Sequence, residues 1–153
     1  MPPVFKNIEI KDVEFGKNVT VINPVNLYGC KIADNVFIGP FVEIQKNVCI
    51  SKNTRIQSHT FICELVTIGE SCFIGHGVVF INDNFTEGGP SGNSELWRST
   101  KIGNKVSIGS NATILPVSIC DNVVIGAGAV VVKNIDKPGF YAGNPAKLIR
   151  EVG

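Results

Sequence analysis

Glu64, Asn82 and Asp83 are the residues of this 153-residue chain whose types and spacing best suit chemistry. Glu64 and Asn82 stand eighteen apart, and Asp83 follows at once. Two carboxylates and an amide can hold a polar substrate by hydrogen bonds, although Asn and Asp also favour tight chain corners for their own sake. The two histidines, His59 and His76, are further candidates, because imidazole is the usual base where an alcohol must lose its proton. Two histidines are too few for a three-histidine zinc centre unless subunits share ligands, so no metal is expected. The five cysteines (Cys30, Cys49, Cys63, Cys72 and Cys120) are odd in number and form no C-x-x-C. They imply reduced thiols rather than a disulfide framework or a zinc knuckle.

The bulk numbers exclude several classes of partner. Fourteen basic residues against thirteen acidic ones leave a net charge of +1, with no basic block or acidic tail to suggest nucleic acid or a membrane surface. The first fifteen residues lack the order of a signal peptide, and no apolar run approaches the length of a membrane span. A cytoplasmic protein of one domain, residues 1–153, is the expectation.

The elements that position these residues come from an internal repeat. Ile32, Ile38, Ile44, Ile50, Ile56, Ile62, Ile68, Ile74 and Phe80 recur at every sixth place. Two places before each stands a small or β-branched residue, from Cys30 and Val36 to Cys72 and Val78. The pattern resumes at Ile102, Ile108 and Ile114, slips by one residue, and continues at Ile119, Ile125 and Val131. Six suits neither an amphipathic helix nor a hairpin sheet. It suits very short strands joined by regular corners, three to a coil, with the large residue and its small partner filling a three-sided interior. The predicted fold is an all-β parallel β-helix over about residues 18–135, interrupted at 82–100 and followed by a short C-terminal cap over 136–153.

Eighteen residues then make one coil, and side chains eighteen apart stack at about the ordinary strand spacing of 4.8 Å. One corner column reads Lys46, Glu64, Asn82; a second reads Pro40, Ser58, His76; a third, Asp34, Lys52, Glu70, is a solvated charge ladder. Of the outward positions, one face shows Phe37, Arg55 and Phe73, another Glu43, Phe61 and Val79, the third Lys31, Cys49 and Thr67. Two faces carrying apolar groups mark interfaces, and two unlike faces close most simply into a homotrimer with sites between subunits. The Pro40/Ser58/His76 corner then points to the three-fold axis, and the Lys46/Glu64/Asn82 corner lies at the mouth of the groove. His59 adjoins Phe61 and sits nearer that groove.

The insertion, NDNFTEGGPSGNSELWRST, leaves from the Asn82 corner and can arch over the groove, with Trp97 and Arg98 as its anchors; a plain surface loop is the alternative. The tail after Val131 carries Pro-Gly-type breaks and would cover the open strand edges of the last coil.

Residues 38–83, which include SHTFICE and FIND, resemble the bacterial nucleotide-sugar N-acetyltransferases that act on 3-amino sugars for surface polysaccharide such as O-antigen. The segment from Ile108 through GAGAVV to AGNPAKLI is similar to the acetyl-CoA end of the same family. The resemblance implies a left-handed β-helix, a hand that the spacing alone does not dictate. It implies that Asn82 fixes the amine or polarises the thioester region, Asp83 accepts an amine proton in a hydrogen bond, and Glu64 orients the sugar; Lys46, His59, His76, Trp97 and Arg98, from the corners and the loop, are the expected substrate contacts. Acetyl-CoA would lie along the later coils against Gly109, Ser110, Ala127 and Gly128, with Lys133 and Lys147 meeting its phosphates.

An amine acceptor needs no strong base. At a pKa near ~8 roughly a tenth of it is neutral at pH 7, and it can attack the thioester directly. Two other readings stay open: an O-acetyltransferase using a histidine base, and a β-helix scaffold without catalysis.

Overall fold

The computed structural model describes residues 1–6 and 9–152. Strands of mostly two residues, turned by corners, build three parallel sheets that wrap one interior. Face A contains seven strands, Ile10–Lys11, Asn26–Tyr28, Glu43–Ile44, Phe61–Ile62, Val79–Phe80, Thr113–Ile114 and Val130–Val131. Face B runs from Glu14–Phe15 through Lys31–Ile32, Cys49–Ile50, Val66–Ile68 and Thr100–Ile102 to Ser118–Ile119. Face C runs from Thr20–Val21 through Phe37–Ile38, Arg55–Ile56, Phe73–Ile74, Ser107–Ile108 and Val123–Ile125 to Gly139–Ala142 and Lys147–Arg150. This is the left-handed parallel β-helix expected.

The six-residue rule works because each hexad sends two side chains inward. Ile38, Ile44, Ile56, Ile62, Ile68 and Ile74 are fully buried, and so are the partners Val36, Val42 and Val66. Where the inner partner is threonine, its hydroxyl is satisfied. Thr54 Oγ1 donates to the Gly69 carbonyl and Thr60 Oγ1 to the Gly75 carbonyl, each at 2.8 Å. Corners need left-handed backbone, and asparagine supplies it more often than any other non-glycine residue: Asn18, Asn35, Asn47, Asn53, Asn111 and Asn122 have φ between 57° and 62°.

Two local departures from the eighteen-residue coil matter. Lys101 pairs with Ser118, so the step from Ile114 to Ile119 shortens that coil and tightens the corner around Pro116. The first coil is equally short, Ile10 pairing with Leu27, and the strands begin at Ile10–Lys11, before the residue-18 start expected from the repeat. Its phase slips at Gly29, which hid it from a strict count of six.

The insertion leaves the corner between faces A and B and returns to the same corner, so Thr67 pairs with Lys101 as though nothing intervened. The tail forms a hairpin in which Lys147–Arg150 runs antiparallel to Gly139–Ala142. Val130 N–H donates to Gly143 O and Ala146 N–H to Val130 O, closing the tail over face A as well.

Candidate active site

The corner between faces A and B brings the sequence candidates together. Lys46 Nζ lies 3.9 Å from Glu64 Oε1, and the Glu64 side chain is only 16% exposed. Asn82 Nδ2 donates to the carbonyl oxygen of Glu64 at 3.2 Å. The vertical column Lys46–Glu64–Asn82 is therefore real, as eighteen-residue spacing requires.

Asp83 is occupied by the loop that follows it. Its Oδ1 accepts the Phe85 N–H at 3.0 Å and its Oδ2 the Ser91 N–H at 2.6 Å. Trp97 Nε1 donates to Ser91 O at 3.3 Å, and Arg98 N–H donates to Asn82 O at 2.8 Å. A short 3₁₀ turn, Ser94–Leu96, is capped by the Asn93 side chain, which accepts from Glu95 N–H. These bonds give the loop a defined shape. Trp97 and Ser94 close a shallow pocket whose other walls are Lys46, Asn47, Glu64 and Leu65. Arg98 is exposed, its guanidinium on the carbonyls of Glu95 and Trp97.

Sequence reasoning missed a polar patch beside this pocket on face A. Asn26 Nδ2 donates to Glu43 Oε1 and Gln45 Nε2 to Glu43 Oε2, both at 2.9 Å. Gln45 Oε1 in turn accepts the Glu64 N–H at 3.3 Å. Burial, with Glu43 and then Glu64 nearby, pushes the Tyr28 phenol above its ordinary value. The available signal was Glu43 and Gln45 flanking the core residue Ile44, where outward positions on this face are otherwise mostly apolar.

The histidines lie elsewhere. His59 and His76 sit on the corner between faces C and A, the opposite margin of face A, and both are exposed. His59 packs on Phe41, ring centroids 4.9 Å apart, rather than reaching toward the groove beside Phe61. The cause is local: at φ 65° it occupies the left-handed corner position, which aims it away from the strand.

The cofactor candidates divide. Gly109, Ser110, Ala127 and Gly128 continue the same margin as the histidines, Lys133 lies on the Glu64 margin, and Lys147 belongs to the terminal hairpin. A Cβ on Gly109 would stand 2.5 Å from the Ala127 nitrogen, so this glycine serves coil stacking rather than ligand approach. A Cβ on Gly128 would meet nothing within 4 Å, which leaves open space for a thin ligand beside the exposed Ala127. Among the described residues no three His, Cys, Asp or Glu side chains gather as a metal site.

Residues 29–64 match the family described as bacterial transferase hexapeptide (six repeats), and residues 99–133 match the hexapeptide repeat of succinyl-transferase. The two matches flank the inserted loop. Both segments thus carry the hexapeptide repeat found in bacterial transferases.

The chain is 31% identical over 150 residues to the bifunctional protein GlmU of Streptococcus uberis. The match covers 93% of the chain but 32% of that protein, so the chain spans about a third of its relative's length. Among solved structures, it is similar to a point mutant of AntD, an N-acyltransferase from Bacillus cereus, in complex with dTDP and coenzyme A. There the TM-score is 0.74 at 24% identity, covering 92% of this chain and 84% of that one. It also resembles the polysialic acid O-acetyltransferase OatWY, with TM-score 0.55 at 26% identity over 93% of this chain and 89% of that one. No helix among the described residues is long and apolar enough to cross a membrane.

Proposed function

We propose that the chain transfers an acetyl group from acetyl-CoA to the amine of a nucleotide-linked (dTDP or UDP) 3-amino sugar, in the cytoplasm, at sites between the subunits of a homotrimer. The observation that carries this reading is the Glu64–Asn82 column beneath a shaped loop, on the margin of a sheet that stays partly wet in the single chain. Phe73 on face C is 41% exposed and Val79 on face A is 37% exposed. Burying those faces between copies creates grooves along the margins where the candidates stand. Each groove then has one lip from each of two subunits, which is how residues on opposite margins of face A can serve one site.

When bound, acetyl-CoA supplies an activated acyl group and, on leaving, a thiolate that takes the surplus amine proton. The protein's task is to select the neutral amine and hold it against the thioester. Asn82 Oδ1, which has no partner among the described residues, accepts one amine N–H. Asp83 accepts another through a lone pair that the loop amides leave free. Glu64, steadied by Lys46, takes a neighbouring sugar hydroxyl. Trp97 closes the pocket and limits water. Gly128 and Ala127 give the pantetheine arm room, with Lys133 and Lys147 placed for phosphate.

Exposed histidines and the likeness to an O-acetyltransferase favour a second reading, in which His59 or His76 removes a proton from a sugar hydroxyl. A thiol-release assay with acetyl-CoA against nucleotide-linked 3- and 4-amino sugars and their hydroxyl counterparts separates the two. Turnover confined to hydroxyl acceptors would overturn the amine reading.

A further inference from the structure

We infer that Gln45 is a positioning residue for the acceptor site: by capping the Glu64 amide it keeps the Asn82 side chain turned with its oxygen uncommitted. The consequence for turnover rests on the acyl-transfer reading above; the geometry does not.

The position two places after each core residue has a recurring problem, an amide that the stacked coils do not pair. On the corner between faces B and C the next coil supplies the acceptor. Lys17 N–H donates to Asp34 Oδ1 at 2.7 Å, Glu70 N–H to Asn104 Oδ1 at 2.8 Å, and Asn104 N–H to Asp121 Oδ1 at 2.7 Å. Glu64 and Asn82 hold the same two positions on the corner between faces A and B. There the bond is reversed. Asn82 gives its amide hydrogen to the Glu64 carbonyl, and the Glu64 N–H goes back to Gln45 Oε1 in the preceding coil.

Gln45 can do this because its other end is fixed. Its Nε2 donates to Glu43 Oε2, and Asn26 holds the second Glu43 oxygen. Stacked in the same column stand Tyr28, Cys63 and Ile81, so packing alone does not call for an amide at 45. Without an acceptor at 45 the Glu64 N–H is orphaned, and an orphaned amide seeks the nearest acceptor. That acceptor is Asn82 Oδ1, reached by the rotation that Asn104 already shows above Glu70. The oxygen meant for the substrate amine is then spent on the backbone.

Three variants test this. Gln45→Met removes the acceptor; Gln45→Glu keeps an acceptor but sets two carboxylates against each other; Glu43→Gln with Gln45→Glu restores the pairing with donor and acceptor exchanged. Expected for Gln45→Met is a kcat lower by about tenfold to a hundredfold, the scale of a small misplacement of a reacting group, with KM for acetyl-CoA unchanged. Its crystal structure should show Asn82 within hydrogen-bond reach of the Glu64 nitrogen. In an Asn82→Ala background the same change should cost nothing further, and the exchanged pair should recover kcat lost in Gln45→Glu. An Asn82 side chain unmoved in Gln45→Met, or a loss fully additive with Asn82→Ala, would overturn the inference. Wild-type turnover in Asn82→Ala would instead sink the proposed function, and the crystal structure alone would then decide the role of Gln45.

Discussion

Asn82 reaches across one coil and donates from Nδ2 to the carbonyl oxygen of Glu64 at 3.2 Å. Eighteen residues of sequence thus collapse to one strand spacing, and the two side chains share a corner with Lys46. The bond uses one hydrogen of the Asn82 amide and leaves the oxygen available. That single choice of rotamer gives the corner a hydrogen-bond acceptor where an amine could be presented.

Asn82→Ala should therefore lower turnover by about a hundredfold to a thousandfold, the usual cost of removing one aligned hydrogen-bonding group from a reacting centre. His76→Ala, on the far margin of face A, should retain most activity. Thiol release under saturating acetyl-CoA measures both. The reverse ranking would point to an alcohol acceptor with histidine as its base.

Asp83→Ala tests the loop separately from the chemistry. Both Asp83 oxygens hold loop amides, and Trp97 hangs from Ser91, one of those amides' residues. Losing the carboxylate should loosen residues 84–98, shift the emission of Trp97, the only tryptophan, to the red, and speed proteolysis within the loop. Unchanged emission and cleavage would mean that the loop is held by other contacts.

The fold was legible because the repeat is a direct record of which side chains point inward. Ile38 through Ile74 needed nothing but counting. The column of Lys46, Glu64 and Asn82 followed from the same arithmetic, since vertical neighbours in a coil are fixed by its length. What escaped was whatever depends on rotamers or on phase. The coil before Gly29 is one residue short, so strict sixes missed it. His59 was placed by its neighbour Phe61, whereas its left-handed φ turns it to Phe41. The Asn26–Glu43–Gln45 chain does not follow from spacing: two polar residues flanking Ile44 on a mostly apolar face hint at a patch, but which atoms they join depends on rotamers.

Gly109 gives a clean separation of stability from ligand binding. Alanine there meets the Ala127 backbone, so Gly109→Ala should cost roughly 1–3 kcal/mol of stability through overpacking. Gly128→Ala has open space but φ +70, and should cost about 1–2 kcal/mol from backbone strain. Thermal unfolding orders the two, and calorimetry with acetyl-CoA completes the test. Weakened binding should follow Gly128→Ala, whereas weakened binding by folded Gly109→Ala at full occupancy would contradict the stacking role.

Phe73→Lys addresses the assembly. Arg55 lies over the Phe37 ring at 4.1 Å on face C, beside exposed Phe73. A second positive charge there would face the apolar side of a neighbouring copy and find no partner. Light scattering after gel filtration should show the trimer of the wild type replaced by monomer, with activity lost in parallel. A monomeric wild type, or an active monomeric variant, would remove the intersubunit groove.

The thiols give a pH dependence whose sign follows from burial. Burial pushes the Cys30 thiol up to about 11 and the Cys63 thiol up to about 12, whereas an unfolded cysteine titrates near ~8.5. Above that value the unfolded chain releases protons that the folded chain still holds, so rising pH favours unfolding. The contribution of these two thiols is complete below about pH 8.5 and declines as pH climbs toward their folded values. Urea midpoints should therefore fall from pH 8.5 to 10.5 more steeply in the wild type than in a Cys30→Ala, Cys63→Ala double variant. Parallel slopes would mean that the buried thiols ionise freely in the folded chain. Disulfide-exchange reagents at pH 8 supply the independent check: exposed Cys49 should react at once, while Cys30, Cys63 and Cys72, all buried, should wait for unfolding.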